Sequence, residues 1–150
     1  EINNVAFTFD KAYPDMKGKV AGAGVGSTIF AVKPGDGSAR EQAASCQRVL
    51  GASANIANEY ATKRYRSNLI NWGMLPFLYK EGDKNLPFAN DDYVFIPGVK
   101  KMIAEKLPSI TAYAVKKDGT VNSFELSVGD LTDDERKIIL AGCLINFYRD

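Results

Sequence analysis

The chain contains no histidine, and with it go the commonest general base, the commonest zinc ligand and every Ser-His or Cys-His nucleophile pair. Chemistry must come from other groups. Cysteine is scarce too. Cys46 and Cys143 are far apart and lack the C-x-x-C spacing of a ligand pair, so they read as free, buried thiols in helices, with no metal site. Charge of one sign is also lacking. Lysine and arginine number 19 against 18 acids, a net +1, which gives no long-range field toward nucleic acid or an anionic membrane surface. No apolar run approaches the ~20 residues needed to cross a bilayer, and Glu1-Ile2-Asn3-Asn4 lacks the basic and apolar regions of a signal peptide. The expectation is a soluble, cytoplasmic protein with neither nucleic acid nor membrane among its partners. The start also lacks an initiator methionine and opens in mid-pattern, which reads as a piece excised from a longer polypeptide, although tag removal or processing would look the same.

What is present fits one globular domain. A chain of 150 residues at 45% hydrophobic can bury one substantial core. Residues 1–26 are polar and glycine-rich. Their end, Gly22-Ala23-Gly24-Val25-Gly26-Ser27-Thr28, invites comparison with nucleotide-binding loops, but Ser27 stands where a P-loop needs lysine and where a Rossmann fingerprint needs its third glycine. A flexible loop is the better reading. Strands are expected at 27–32, 52–57, 75–79 and 93–96, from β-branched and aromatic runs bounded by glycine and proline. Helices are expected at 39–50 and 59–72, each followed by glycine. Residues 80–91 read as a surface loop, and 99–107 are ambiguous before Pro108. Lys117-Asp118-Gly119 between alternating runs signals a hairpin. Thr132-Asp133-Asp134-Glu135 is a capping box opening a last helix, whose Ile138, Ile139, Cys143, Leu144 and Phe147 can share an apolar face. The order predicts an α/β domain with a mixed sheet and packed helices. Trp72 and the other aromatics interleave with these patterns and read as core.

The stretch with chemical promise is Gly35-Asp36-Gly37-Ser38-Ala39-Arg40-Glu41-Gln42, a glycine-rich turn between a strand and a helix. Helix N-terminal amides lack internal partners and sit at the positive end of the macrodipole, and glycines let a carboxylate or phosphate come close. Ser38 sits at that focus. A purely structural role is the simpler reading of the pattern, since Ser38 and Glu41 also spell an S-x-x-E capping box. Arg40 argues the other way, because a cation in the first turn opposes the macrodipole unless an anion compensates. Glu41 is one candidate; a bound carboxylate held by the planar guanidinium is another.

These residues resemble a known family. Gly37-Ser38-Ala39-Arg40-Glu41-Gln42-Ala43-Ala44 is similar to the G-S-S-R-E-H-A motif of aconitases and of isopropylmalate dehydratase small subunits. Leu50-Gly51-Ala52 with Asn55-Ile56-Ala57 resembles the family's L-G-x-R-A-x-I-A strand. Arg66-Ser67-Asn68-Leu69, then Gly73-Met74-Leu75-Pro76, resembles its R-x-N-L-x-x-x-G-x-L-P segment. A Lys-x-Asp-Gly-Thr hairpin before a closing helix extends the likeness over residues 27–149, while 1–26 match poorly.

The resemblance implies a swivelling β/β/α domain, here spanning 1–150, that closes over a [4Fe-4S] cluster held by cysteines on domains absent from this chain. It implies a hydro-lyase acting on a small hydroxy-polycarboxylic acid, with this domain inactive alone and no cofactor bound by it. Ser38 would be the base, acting as alkoxide, and Arg40 would bind a substrate carboxylate with Gly37 and Ala39 lining the same turn. The partners implied are the remaining domains of the same polypeptide or, alternatively, a large subunit that carries the cluster. Ala39 stands where the family usually has a second serine and Gln42 where it has histidine, so the acid need not be citrate or isocitrate. These departures also leave open a carboxylate-binding module without turnover.

Overall fold

A computed structural model describes residues 1–81 and 85–149. The first half is a parallel sheet ordered β1-β2-β3, built from β1 (Ser27–Ala31), β2 (Ala52–Ala57) and β3 (Leu75–Leu78). α2 (Arg40–Val49) and α3 (Lys63–Asn71) are its crossovers. β2 is the central strand and is covered on both faces, so apart from Asn55 its side chains are small or apolar rather than alternating. Ala44 of α2 and Tyr65 and Leu69 of α3 pack with Ala52 and Met74 to form the core of that side.

The second half is an antiparallel sheet ordered β4-β5-β6, from β4 (Tyr93–Phe95), β5 (Ile110–Val115) and β6 (Val121–Leu126). The expected hairpin joins β5 to β6: Thr120 N–H donates to Asp118 Oδ1 at 2.8 Å, and that bond holds the Asp118 carboxyl below its ordinary pKa. α4 (Val99–Ala104) resolves the ambiguous stretch as a helix, and α5 (Asp133–Ala141) begins at the expected box. Thr132 Oγ1 accepts from Glu135 N–H at 3.1 Å while Glu135 Oε2 accepts from Thr132 N–H at 2.9 Å.

The α/β architecture is thus the one the sequence implies, with parallel and antiparallel parts meeting, among the described residues, at one backbone bridge. Leu78 and Ser127 exchange backbone hydrogen bonds of 2.6 and 3.0 Å. Beneath them lies a shared core: Ala54, Ile56 and Phe77 from the parallel sheet pack in one cluster with Ala112, Ala114, Phe124 and Leu126 from the antiparallel one. Arg66 spans the same junction from α3, donating through Nη2 to Val128 O and Asp130 O, both at 2.8 Å.

Four expectations are corrected. Residues 1–26 are not simply a loop: α1 (Ile2–Ala12) precedes a 3-10 turn at Pro14–Met16. Ile2, Val5, Ala6 and Phe9 are spaced i, i+3, i+4, i+7, a signal obscured by the polar residues between them. The last helix is not continuous. Gly142, at φ +94°, stops α5, and Cys143 opens the short α6 (Leu144–Phe147). Cys46 is exposed and Cys143 only half-buried, and Trp72 keeps 37% of its surface in solvent. The loop expected at 80–91 falls partly on residues 82–84, outside the described residues. Among the described residues, no helix is long and apolar enough to cross a membrane.

Phe9 is fully buried, its ring 5.0 Å from Phe95, 5.2 Å from Tyr113 and 5.3 Å from Tyr13. Phe9→Ala removes this anchor and should destabilise the fold by about 3–5 kcal/mol, read as a lowered urea midpoint; Phe7→Ala, on the exposed face, should leave the midpoint nearly unchanged.

Candidate functional site

The turn that follows β1 emerges at the carboxyl end of the parallel sheet, the edge where open α/β sheets bind ligands. It is held from beneath by the segment leading into α3. Glu59 N–H donates to Val32 O at 3.0 Å and Ala61 N–H to Pro34 O at 2.9 Å. The Thr62 hydroxyl donates to Gly35 O at 3.3 Å and accepts from Tyr65 N–H at 3.1 Å, so one side chain caps α3 and ties down the turn. Gly35 has φ +98°, and the Tyr65 ring fills the place where a side chain at that position would project. Only glycine fits both conditions.

Tyr65 is buried, at 2% exposure, and its hydroxyl accepts from Gln47 Nε2 at 2.9 Å and Asn55 Nδ2 at 3.1 Å. The Gln47 and Asn55 amide oxygens are buried without a partner. Turning either amide over lets the phenol donate instead, so this trio can satisfy itself in more than one proton arrangement. Tyr60 lies beside it and donates to Phe77 O at 2.9 Å.

Beyond Gly35 the turn is open. Gly37, Ser38 and Ala39 are exposed, and a Cβ at Gly37 would meet nothing within 4 Å. The N-cap of α2 is Ala39, which offers no side-chain acceptor. The capping box that Ser38 and Glu41 spell is therefore not formed, and among the described residues the Ser38 hydroxyl has no hydrogen-bond partner. Among the described residues, no cap side chain fills the amides of the first turn of α2 either. Arg40 is half-buried; its Nε is shut off from solvent and has no acceptor among the described residues. Nor does Arg40 ion-pair with Glu41 or any other described acid. All four residues singled out from the sequence thus share one exposed mouth at the start of α2.

Tyr65, Thr62, Gln47 and Asn55 were not singled out. The sequence reading starts the helix at 59, which hides Thr62 as its cap, and T-x-x-Y lacks the acid that marks a capping box.

Residues 12–82 match the family model described as the aconitase C-terminal domain. The chain belongs to the aconitase family. It is 29% identical over 150 residues to aconitate hydratase A of Rickettsia bellii, an alignment covering 98% of this chain and 16% of that protein. It is 30% identical over 122 residues to the Rickettsia felis aconitate hydratase A, covering 79% of this chain and 14% of that protein. With aconitate hydratase A of Pseudomonas aeruginosa the identity is 28% over 115 residues, covering 75% of this chain and 12% of that protein. The chain therefore spans only a small part of the length of its aconitase relatives.

An iron–sulfur cluster does not fit the described residues of this aconitase-family chain. No group of three or more His, Cys, Asp or Glu side chains able to hold a metal ion occurs among them, and Cys46 on α2 and Cys143 before α6 are both free.

Burial is the main cause that raises the Tyr60 pKa above its ordinary value of 10.0, with the neighbouring Tyr65 adding to it. The folded state favours the neutral phenol, so the stability this gives is fully present below pH ~10 and is lost as the pH rises further. On alkaline titration followed by tyrosinate absorbance, Tyr60 should ionise only as the chain unfolds, and Tyr60→Phe should diminish the delayed component.

Proposed function

We propose that this chain is the substrate-gripping swivel domain of an aconitase-like hydro-lyase, supplying the base and a carboxylate anchor for dehydration and hydration of a small hydroxy-polycarboxylic acid. Residues 1–150 act as one such domain, in the cytoplasm. The observation that carries the reading is the pairing of an uncommitted hydroxyl, Ser38, with a half-buried guanidinium, Arg40, that has no acceptor of its own among the described residues. Both stand at a helix mouth whose cap is missing.

The chemistry follows from that arrangement. A serine hydroxyl is a very weak acid, and it can serve as a base only where donors and positive charge stabilise its alkoxide. The free amides at the start of α2 and Arg40 supply both. Arg40 holds one carboxylate of the acid through a planar pair of hydrogen bonds, and the backbone of Gly37 and Ala39 lines the turn beside it. Ser38 Oγ then takes the proton from the carbon next to a bound carboxylate and returns it in the hydration direction. The loss and addition of water at the hydroxyl-bearing carbon would fall to groups on the rest of a longer protein.

The open mouth supplies one wall only, so the other belongs to the rest of a longer protein, on which the [4Fe-4S] cluster would also lie. Relatives that carry this segment within much longer chains favour domains of the same polypeptide over a separate large subunit.

In the intact, cluster-loaded protein, Ser38→Ala should lower the dehydration rate by roughly 10²–10⁴-fold without lowering the melting temperature. Arg40→Lys should chiefly weaken substrate binding, by about tenfold or more, since lysine cannot reproduce the fork. Turnover unchanged in both variants would sink the site. The 150-residue chain alone should show no turnover.

A further inference from the structure

We infer that Tyr65 is a positioning residue for the Ser38–Arg40 turn; this deepens the proposed function and rests on it. The turn begins at Gly35 and ends where Arg40 opens α2. Tyr65 touches both sides of it. Its ring lies flush against the Gly35 backbone, in the space that only a missing side chain leaves, and its hydroxyl binds Gln47 of α2 at 2.9 Å. A third contact, from Asn55 at 3.1 Å, ties the same hydroxyl to the central strand. The backbone of Tyr65 is fixed as well, because its N–H is held by the Thr62 hydroxyl that also grips Gly35 O.

One buried side chain therefore sets the distance between the start of the turn and the helix that carries Arg40. The exposed residues between them have no such support: Gly37 has open space around it, and no cap side chain steadies the first turn of α2. A base must meet its proton within a fraction of an ångström, and small displacements from a distance lower rates steeply. The phenol acts through geometry alone and touches neither substrate nor reacting atoms.

Two variants disturb this contact from opposite sides. Tyr65→Phe keeps the ring against Gly35 and releases Gln47 and Asn55; Gly35→Ala leaves the phenol in place and forces the turn off the ring. In the intact, cluster-loaded protein each should lower kcat by roughly 10- to 100-fold. KM for the acid turned over should move less than kcat. Amide exchange, followed by mass spectrometry, reads the turn without turnover: the peptide containing Glu59, Ala61 and residue 65, whose amides bond the turn and its clasp, should exchange faster in both variants, with the β5–β6 hairpin unchanged as the internal control. Unaltered exchange in that peptide overturns the inference, whatever Ser38→Ala does. Faster exchange with unchanged kcat, where Ser38→Ala abolishes turnover, also overturns it, because the turn then needs no clasp. Should Ser38→Ala itself leave turnover intact, it is the serine reading that fails, and the role given to Tyr65 falls with it.

Discussion

A single apolar core shared by two sheets of different strand polarity is the constraint on which the rest of this structure depends. Ile56 and Phe77 on one side and Phe124 and Leu126 on the other pack in the same cluster, so neither sheet can shift without exposing the other. Among the described residues, backbone hydrogen bonds join them between Leu78 and Ser127. Arg66 reinforces that seam with hydrogen bonds to two carbonyls, and its other nitrogen approaches Glu135, at 4.0 Å. Glu135 is also part of the box that starts α5, so the same few residues lock α3, the seam and the last helical segment together. With β2 held centrally and covered on both faces, the turn after β1 has a fixed base from which to emerge.

Two copies of one short pattern show how far sequence alone reaches. Thr132 and Glu135 spell T-x-x-E and form the reciprocal box. Ser38 and Glu41 spell S-x-x-E and do not, because the turn carries the chain to Ala39 before the helix begins. Nothing within four residues distinguishes the two cases. The difference is imposed from 20 or more positions away, by Thr62 and Tyr65 holding Gly35. A hydroxyl that the fold leaves unused is thus produced by tertiary clasping, which local pattern cannot report.

Elsewhere the sequence was a good guide where punctuation was sharp. β2 stands at the residues its apolar run marks, and the Asp-Gly pair makes its hairpin. The reading failed where tertiary partners override local character. α1 looks polar until Phe9 is seen against Phe95 and Tyr113, and the closing helix looks continuous until Gly142 turns left-handed. The candidate site was legible as four contiguous residues, Gly37 to Arg40. Its supporting residues were not, since Gln47, Asn55 and Tyr65 lie on three separate elements and meet only through one phenolic oxygen.

The placement of α1 has a consequence for how the protein is made. Two of the rings that cover Phe9, those of Phe95 and Tyr113, lie 86 and 104 positions further along the chain. Until those residues have been synthesised, this helix has no such surface to lie on and its apolar face stays uncovered. Docking of α1 therefore follows synthesis of the antiparallel strands, a contact made at long sequence separation.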